Sequence, residues 1–349
     1  MVNPVTAGPR LAFMAMTLGA PVDWKRAADA GARCAPRPPR ATRAEIVDTE
    51  RGLASASQQA RGIVADTAEL PEVAGGETLV VDRPGWVRAA CESFDRVFDD
   101  PQMREGASKV GHHARAAAAG AQTGAMMGWL SGRILGQFDP WADRLLLVAP
   151  NVVSVQRAMD VDPVAFRLWV CLHEETHRLQ FATAPWLTEH LTRTAGRLVE
   201  RVDGDWKLVA GSLLRSLRGE DASLLDVMRT DGRTSRLLDD TTAMMSLLEG
   251  HADVMMDRVG SAVVPGLARI RRRFEKRRDS GGSEGVIRRV LGLDVKLAQY
   301  RDGARFCRAV IDRIGVEGLN HVWSGPEQLP TLPELHEPDR WVRRVTAAG

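Results

Sequence analysis

The apolar and polar positions of this chain fall mostly into the three-and-four rhythm that turns one face of a helix towards a core. Val22, Asp23 and Trp24 open such a pattern, which stops at Pro36, Pro38 and Pro39, where fixed φ angles and missing N–H groups interrupt a helix. Thr42 is placed to cap a long helix running towards Ala68. Thr78 to Val81, bracketed by Gly75, Gly76 and Pro84, predicts a short strand or an extended lead into a helix carrying Trp86, Phe94 and Phe98. The alanine-rich stretch from Ala114 to Gly132 predicts a buried helix whose methionines, Met126 and Met127, serve packing. Leu145 to Ala149, an unbroken apolar run ended by Pro150 and Asn151, is the clearest strand candidate. Helical spacing continues from Trp186 to Leu198, Ser223 to Met228, Asp240 to Val259, Val263 to Arg278, Val286 to Tyr300 and Gly303 to Ile314, with a turn over Asp279 to Glu284. The expected fold is mainly α with a small β element.

With 349 residues, 44% hydrophobic and 26% charged, the chain can bury a sizeable core. The pattern suggests a flexible N-terminal extension over 1–21, a helical region over 22–130 and a catalytic region over 131–349, the latter two packed as one unit. A formal net charge of +2 argues against a chain built to coat nucleic acid or an anionic membrane, so neither is an expected partner. The basic run Arg269 to Arg278 lacks the interleaved aromatics of a single-strand binder and reads as a solvated helix face. Cys34, Cys91, Cys171 and Cys307 lie far apart with no CxxC pair, the usage of a reducing compartment, so the expected location is cytoplasmic. Leu11 to Ala20 follows Arg10 in the manner of a signal-peptide core, but little positive charge precedes it and no clear cleavage site follows.

The chemistry gathers in the segment opened by Asp162 and Pro163, an N-cap acceptor followed by a residue suited to the first helical position. Phe166, Trp169, Val170, His173, Thr176, His177 and Gln180 then share one face, predicted to point inward. Two histidines four apart project from successive turns and can bind one tetrahedral zinc, with Glu174 beside the first of them. Zinc lowers the pKa of a water, and a carboxylate can take its proton and deliver it to a leaving group. A third histidine six residues past His177 would define one zincin class, but Thr183 is there and Gln180 replaces the turn glycine. The segment LLEGHADVMMD offers Glu249 as third ligand instead, with Asp253 one turn on to hold a ligating imidazole by its second N–H. His251 and His190 are rivals for the third position. Tyr300, the single tyrosine, beside Arg301, is a candidate for stabilising an oxyanion, with His251 and His321 as weaker ones.

HExxH on one helix and ExxxD on a second resemble the gluzincin branch of zincin metallopeptidases, the thermolysin-like arrangement. That resemblance implies a general base at Glu174, a third zinc ligand at Glu249 and an orienting carboxylate at Asp253, in an enzyme acting on a peptide or small amide substrate. In zincins a short edge strand commonly runs above the metal and pairs with extended substrate; Leu145 to Ala149 is placed in sequence either to do that or to serve as an ordinary core strand. Broader similarity runs from about Val22 to the C-terminus, carried by VDWKRAADAGARCAPRPPRATRAE, VDRPGWVRA, LLLVAPNV, LHEETHRLQF, LLEGHADVMMD and LGLDVKLAQYRDGARF. In these phrases the chain resembles an actinobacterial family of predicted zincin-like metallopeptidases, often labelled as associated with biosynthesis of a deazaflavin coenzyme.

Overall fold

The computed structural model describes residues 22–73, 75–98, 112–202, 232–279 and 293–347. The expected extension over 1–21, the helix over Ser223 to Met228 and turn residues 280–284 lie outside them. The described residues fall into two compact units, one drawn from residues 22–61 and 75–178 and the other from residues 62–73 and 179–347. Among the described residues the fold is mostly helical with one three-stranded sheet, and no helix is long and apolar enough to cross a membrane.

In the first unit, α1 (Trp24–Cys34) starts at Asp23, whose carboxylate accepts the Arg26 N–H at 2.9 Å. Helix α2 (Arg43–Ala68) begins with a reciprocal cap: Thr42 accepts from Glu45 N–H while Glu45 accepts from Thr42 N–H. Helices α3 (Arg83–Phe98) and α4 (His112–Ser131) both pack on α1. The approach of α4 to α1 depends on absent side chains, since a Cβ on Gly124 would lie 2.4 Å from the Ala27 carbonyl oxygen. Met127 is buried in this layer, as a packing residue should be.

Strands β1 (Glu77–Val81), β2 (Gly136–Asp139) and β3 (Arg144–Val148) form a sheet in the order β1-β3-β2, with β3 parallel to β1 and antiparallel to β2. Each residue from Leu145 to Val148 is 0% exposed. A strand apolar at every position suits a place covered on both faces. Of the two readings of this run, the core strand holds: β3 is central and paired along both edges, so its backbone is not free to pair with substrate, and Ala149 already belongs to α5 (Ala149–Met159). Strand β2 was not anticipated: it is only four residues long, and its polar members are buried along with Phe138. Its polar members find internal partners: Gln137 accepts from Trp86 Nε1 at 3.1 Å, and Asp139 is met by Ser93 and by Arg144 at 3.2 Å. The chain then enters α6 (Pro163–Thr183), which, like α2, runs through the division between the units.

The second unit holds α7 (Trp186–Val202), α8 (Gly232–Val263), α9 (Leu267–Asp279), α10 (Leu293–Leu319), α11 (Leu332–His336) and α12 (Pro338–Thr346). Helices α8 and α10 touch backbone to backbone: a Cβ on Gly250 would lie 2.2 Å from the Gly303 carbonyl carbon. Gly260 interrupts α8 with a φ of 75°, a conformation that suits glycine. At the C-terminus Phe306 and Trp341, both 0% exposed, meet edge to face at 5.5 Å.

Candidate metal centre

Helix α6 begins as its first residues dictate, with Asp162 Oδ1 accepting the Ala165 N–H at 2.8 Å and Pro163 in the first turn. The apolar spacing predicts one inward face, yet every residue from Ala165 to Phe181 is buried. A polar group so placed is costly without a partner. Arg167 therefore reaches Asp48 on α2 at 2.8 Å. Glu175 accepts from Ser57 at 2.5 Å and pairs with Arg178 at 3.0 Å and Arg61 at 3.7 Å. Arg178 in turn donates to the carbonyls of Gly75 and Gly76 and to Thr78 Oγ1 at 2.7–2.9 Å. Burial raises the Glu175 carboxyl above its ordinary range against the pull of both arginines, and burial lowers Arg178. This network fastens α6 to α2 and to the segment leading into β1.

The same helix presents His173 and His177, 4% and 8% exposed, with rings edge to face and centroids 4.8 Å apart. Their Nε2 atoms are 3.3 Å apart. Metal–nitrogen bonds of about 2.0–2.1 Å in tetrahedral geometry require a nitrogen–nitrogen edge of roughly 3.3 Å, so the ring pair fits a zinc-sized ion. Glu249, on α8, is 1% exposed. One ligand atom from each of His173, His177 and Glu249 lies within 4.8 Å of the other two, a His-His-Glu group able to hold a metal ion. Three protein donors, two imidazoles and a carboxylate, are a set used by catalytic zinc sites.

Glu174 is also buried. Its side chain lies over the α-carbon of Gly136 at the start of β2, where a Cβ would meet Glu174 Cγ at 2.6 Å and Oε1 at 3.0 Å. Sequence reasoning missed Gly136; the available signal was an isolated glycine within ILGQF, between Leu135 and Gln137, which often marks close approach by another group. Asp253 is buried and lies 3.6 Å from Arg271, which donates to the Asp253 carbonyl at 2.9 Å and pairs with Asp257 at 2.8 Å. One arginine of the basic run thus turns to α8 instead of joining a fully solvated face.

Of the rivals for the third position, His190 stands edge-on to Trp186, its pKa lowered by burial, and His251 is enclosed by Gln180 and Trp323. Neither belongs to the three-residue group. His321 is exposed in a short 3-10 turn. Tyr300 lies on α10, but its side chain and that of Arg301 fall outside the described residues.

A mainly helical protein that carries HExxH on a buried helix and gathers a downstream glutamate to its histidines has the framework of a zincin-like metalloprotein. The comparison with protein families gives the same answer in finer form: residues 22–342 match the zincin-like metallopeptidase family, and the chain belongs to it. A crystal structure from Chloroflexus aurantiacus, described as a candidate hydrolase with a novel fold, is similar at 27% identity, with a TM-score of 0.67, covering 94% of this chain and 100% of that one. No curated protein matches the chain.

Proposed function

We propose that this protein is a zinc-dependent hydrolase of peptide or small amide bonds, with His173, His177 and Glu249 as metal ligands and Glu174 as general base. The observation that supports this most is the pair of Nε2 atoms 3.3 Å apart with the buried Glu249 carboxylate within 4.8 Å. Two nitrogens and one carboxylate oxygen favour zinc over the oxygen-seeking magnesium or calcium. When bound, zinc supplies a Lewis acid that acidifies water and stabilises developing negative charge on a carbonyl oxygen. Glu174, next in the helix to His173 and confined by Gly136, accepts the proton of the attacking water and returns it to the departing amine. Asp253, one turn along α8 from Glu249, orients a ligand imidazole, and Arg271 gives this buried carboxylate a cationic partner. Tyr300 is the proposed oxyanion donor: Gly303, one turn along α10, brings that helix against Gly250, the residue after Glu249. Dispersed free thiols support cytoplasmic residence, and neither nucleic acid nor membrane enters the proposal. The deazaflavin association implied by the resemblance carries no part of the chemistry.

Metal analysis of the purified protein should give one zinc per chain, and a peptide-library digest should show cleavage by the wild type. Glu174→Gln should keep the metal and lose cleavage. Equal cleavage by both would remove Glu174 as the base, and bound metal without any turnover would leave a binding protein in place of an enzyme.

A further inference from the structure

We infer that Gln180 is a positioning residue that holds α8, and with it Glu249, in register with the histidine-bearing helix; this rests on the metal reading above. Gln180 lies three residues beyond His177, on the same side of α6, and is fully buried. A glutamine at such a depth is costly unless its amide is hydrogen-bonded. Its Nε2 donates to the Leu248 carbonyl at 2.8 Å and lies 3.1 Å from His251 Nδ1. These two contacts bracket Glu249 in the sequence.

The Leu248 carbonyl can only accept, so the amide nitrogen must face it, and the second amide hydrogen is then directed to His251. Nδ1 of His251 is thereby the acceptor, which places the proton of the neutral ring on Nε2. The ring also meets Trp323, edge to face at 5.1 Å, and Trp323 is itself tied by its carbonyl to Trp186 Nε1 at 2.9 Å. One tether thus fixes both the height and the rotation of α8 at the ligand. A slip of a single residue moves a helix side chain by about 1.5 Å along the axis and roughly 100° around it, which would carry the carboxylate away from the imidazoles. An apolar residue at position 180 could fill the space but could not set that register.

The test is zinc affinity, measured by competition with a chromophoric chelator, together with the visible absorption of the cobalt-substituted protein. Gln180→Met keeps the volume and removes both donors; it should weaken zinc binding about tenfold or more and alter the cobalt bands. Asn320→Ala, which removes a bond from Asn320 Nδ2 to the Ala68 carbonyl, serves as a control that lowers Tm while leaving affinity and bands unchanged. Gln180→Glu, of equal length, is the second variant if the methionine form does not fold, with the same expected loss. Unchanged affinity and spectrum in a folded Gln180 variant would overturn the positioning role alone. Absence of zinc binding by the wild type would overturn the metal reading and this inference with it.

Discussion

Replacing Gly136 with alanine should slow the proposed hydrolysis without emptying the metal group. The added Cβ would sit 2.6 Å from Glu174 Cγ and 2.9 Å from Cδ, whereas carbon–carbon contact is ordinarily about 3.5–4.0 Å. Glu174 or the start of β2 must therefore yield by roughly 0.9 Å. Strand β2 is held by its antiparallel register, Gly136 opposite Leu147, so the carboxylate is the softer partner. A misplacement of about 1 Å in a reacting group can cost on the order of a hundredfold in rate, and overpacking a filled interior costs about 1–3 kcal/mol. We expect kcat on a cleaved library peptide to fall about a hundredfold, with zinc content unchanged and a modest drop in Tm. Valine at the same place should be worse, because its branches meet the same carboxylate. If the alanine variant is folded and zinc-loaded and turns over at the wild-type rate, either Glu174 is not the base or its carboxylate is not confined by β2.

Two further predictions address stability and reactivity. Cys34 is exposed, whereas burial, with Asp95 nearby, pushes the Cys91 thiol up to about 12, and burial raises Cys171 and Cys307 as well; native protein should release one equivalent of chromophore from a disulfide reagent near pH 8 and four after unfolding, and early reaction of a second thiol would refute this burial pattern. For Glu334 burial works to raise the carboxyl, but the hydrogen bonds from Arg344 at 2.8 Å and from the Thr331 cap prevail and hold it below the ordinary carboxylate range. A depressed carboxylate stabilises the fold above its unfolded pKa, and that contribution is lost as pH falls through the folded value. Glu334→Gln should therefore lower the urea midpoint near neutral pH and converge with wild type below about pH 4; a constant difference across that range would show that the effect is not electrostatic.

The sequence by itself determined what depends on neighbours a few residues away. The start of α6 at Asp162 and Pro163 and the side-by-side histidines follow from capping and from helical periodicity, which act within a turn or two. The shared side of Glu249 and Asp253 follows for the same reason. The mainly helical fold was legible because helical periodicity recurs along most of the chain, and the zincin-like family because HEETH and LLEGHADVMMD each keep their spacing within a single helix. Pairing and depth were not legible, because they depend on residues distant in sequence. Leu145 to Val148 could be read as a strand, but only the presence of β1 and β2 on either side made it central, and β2 is too short to show a period. The same limit hid the confinement of Glu174 by Gly136, the turn of Arg271 to Asp253 and the grip of Gln180 on Leu248. Each joins elements whose separation along the chain carries no periodic signal; close packing in the folded interior decides which of them meet.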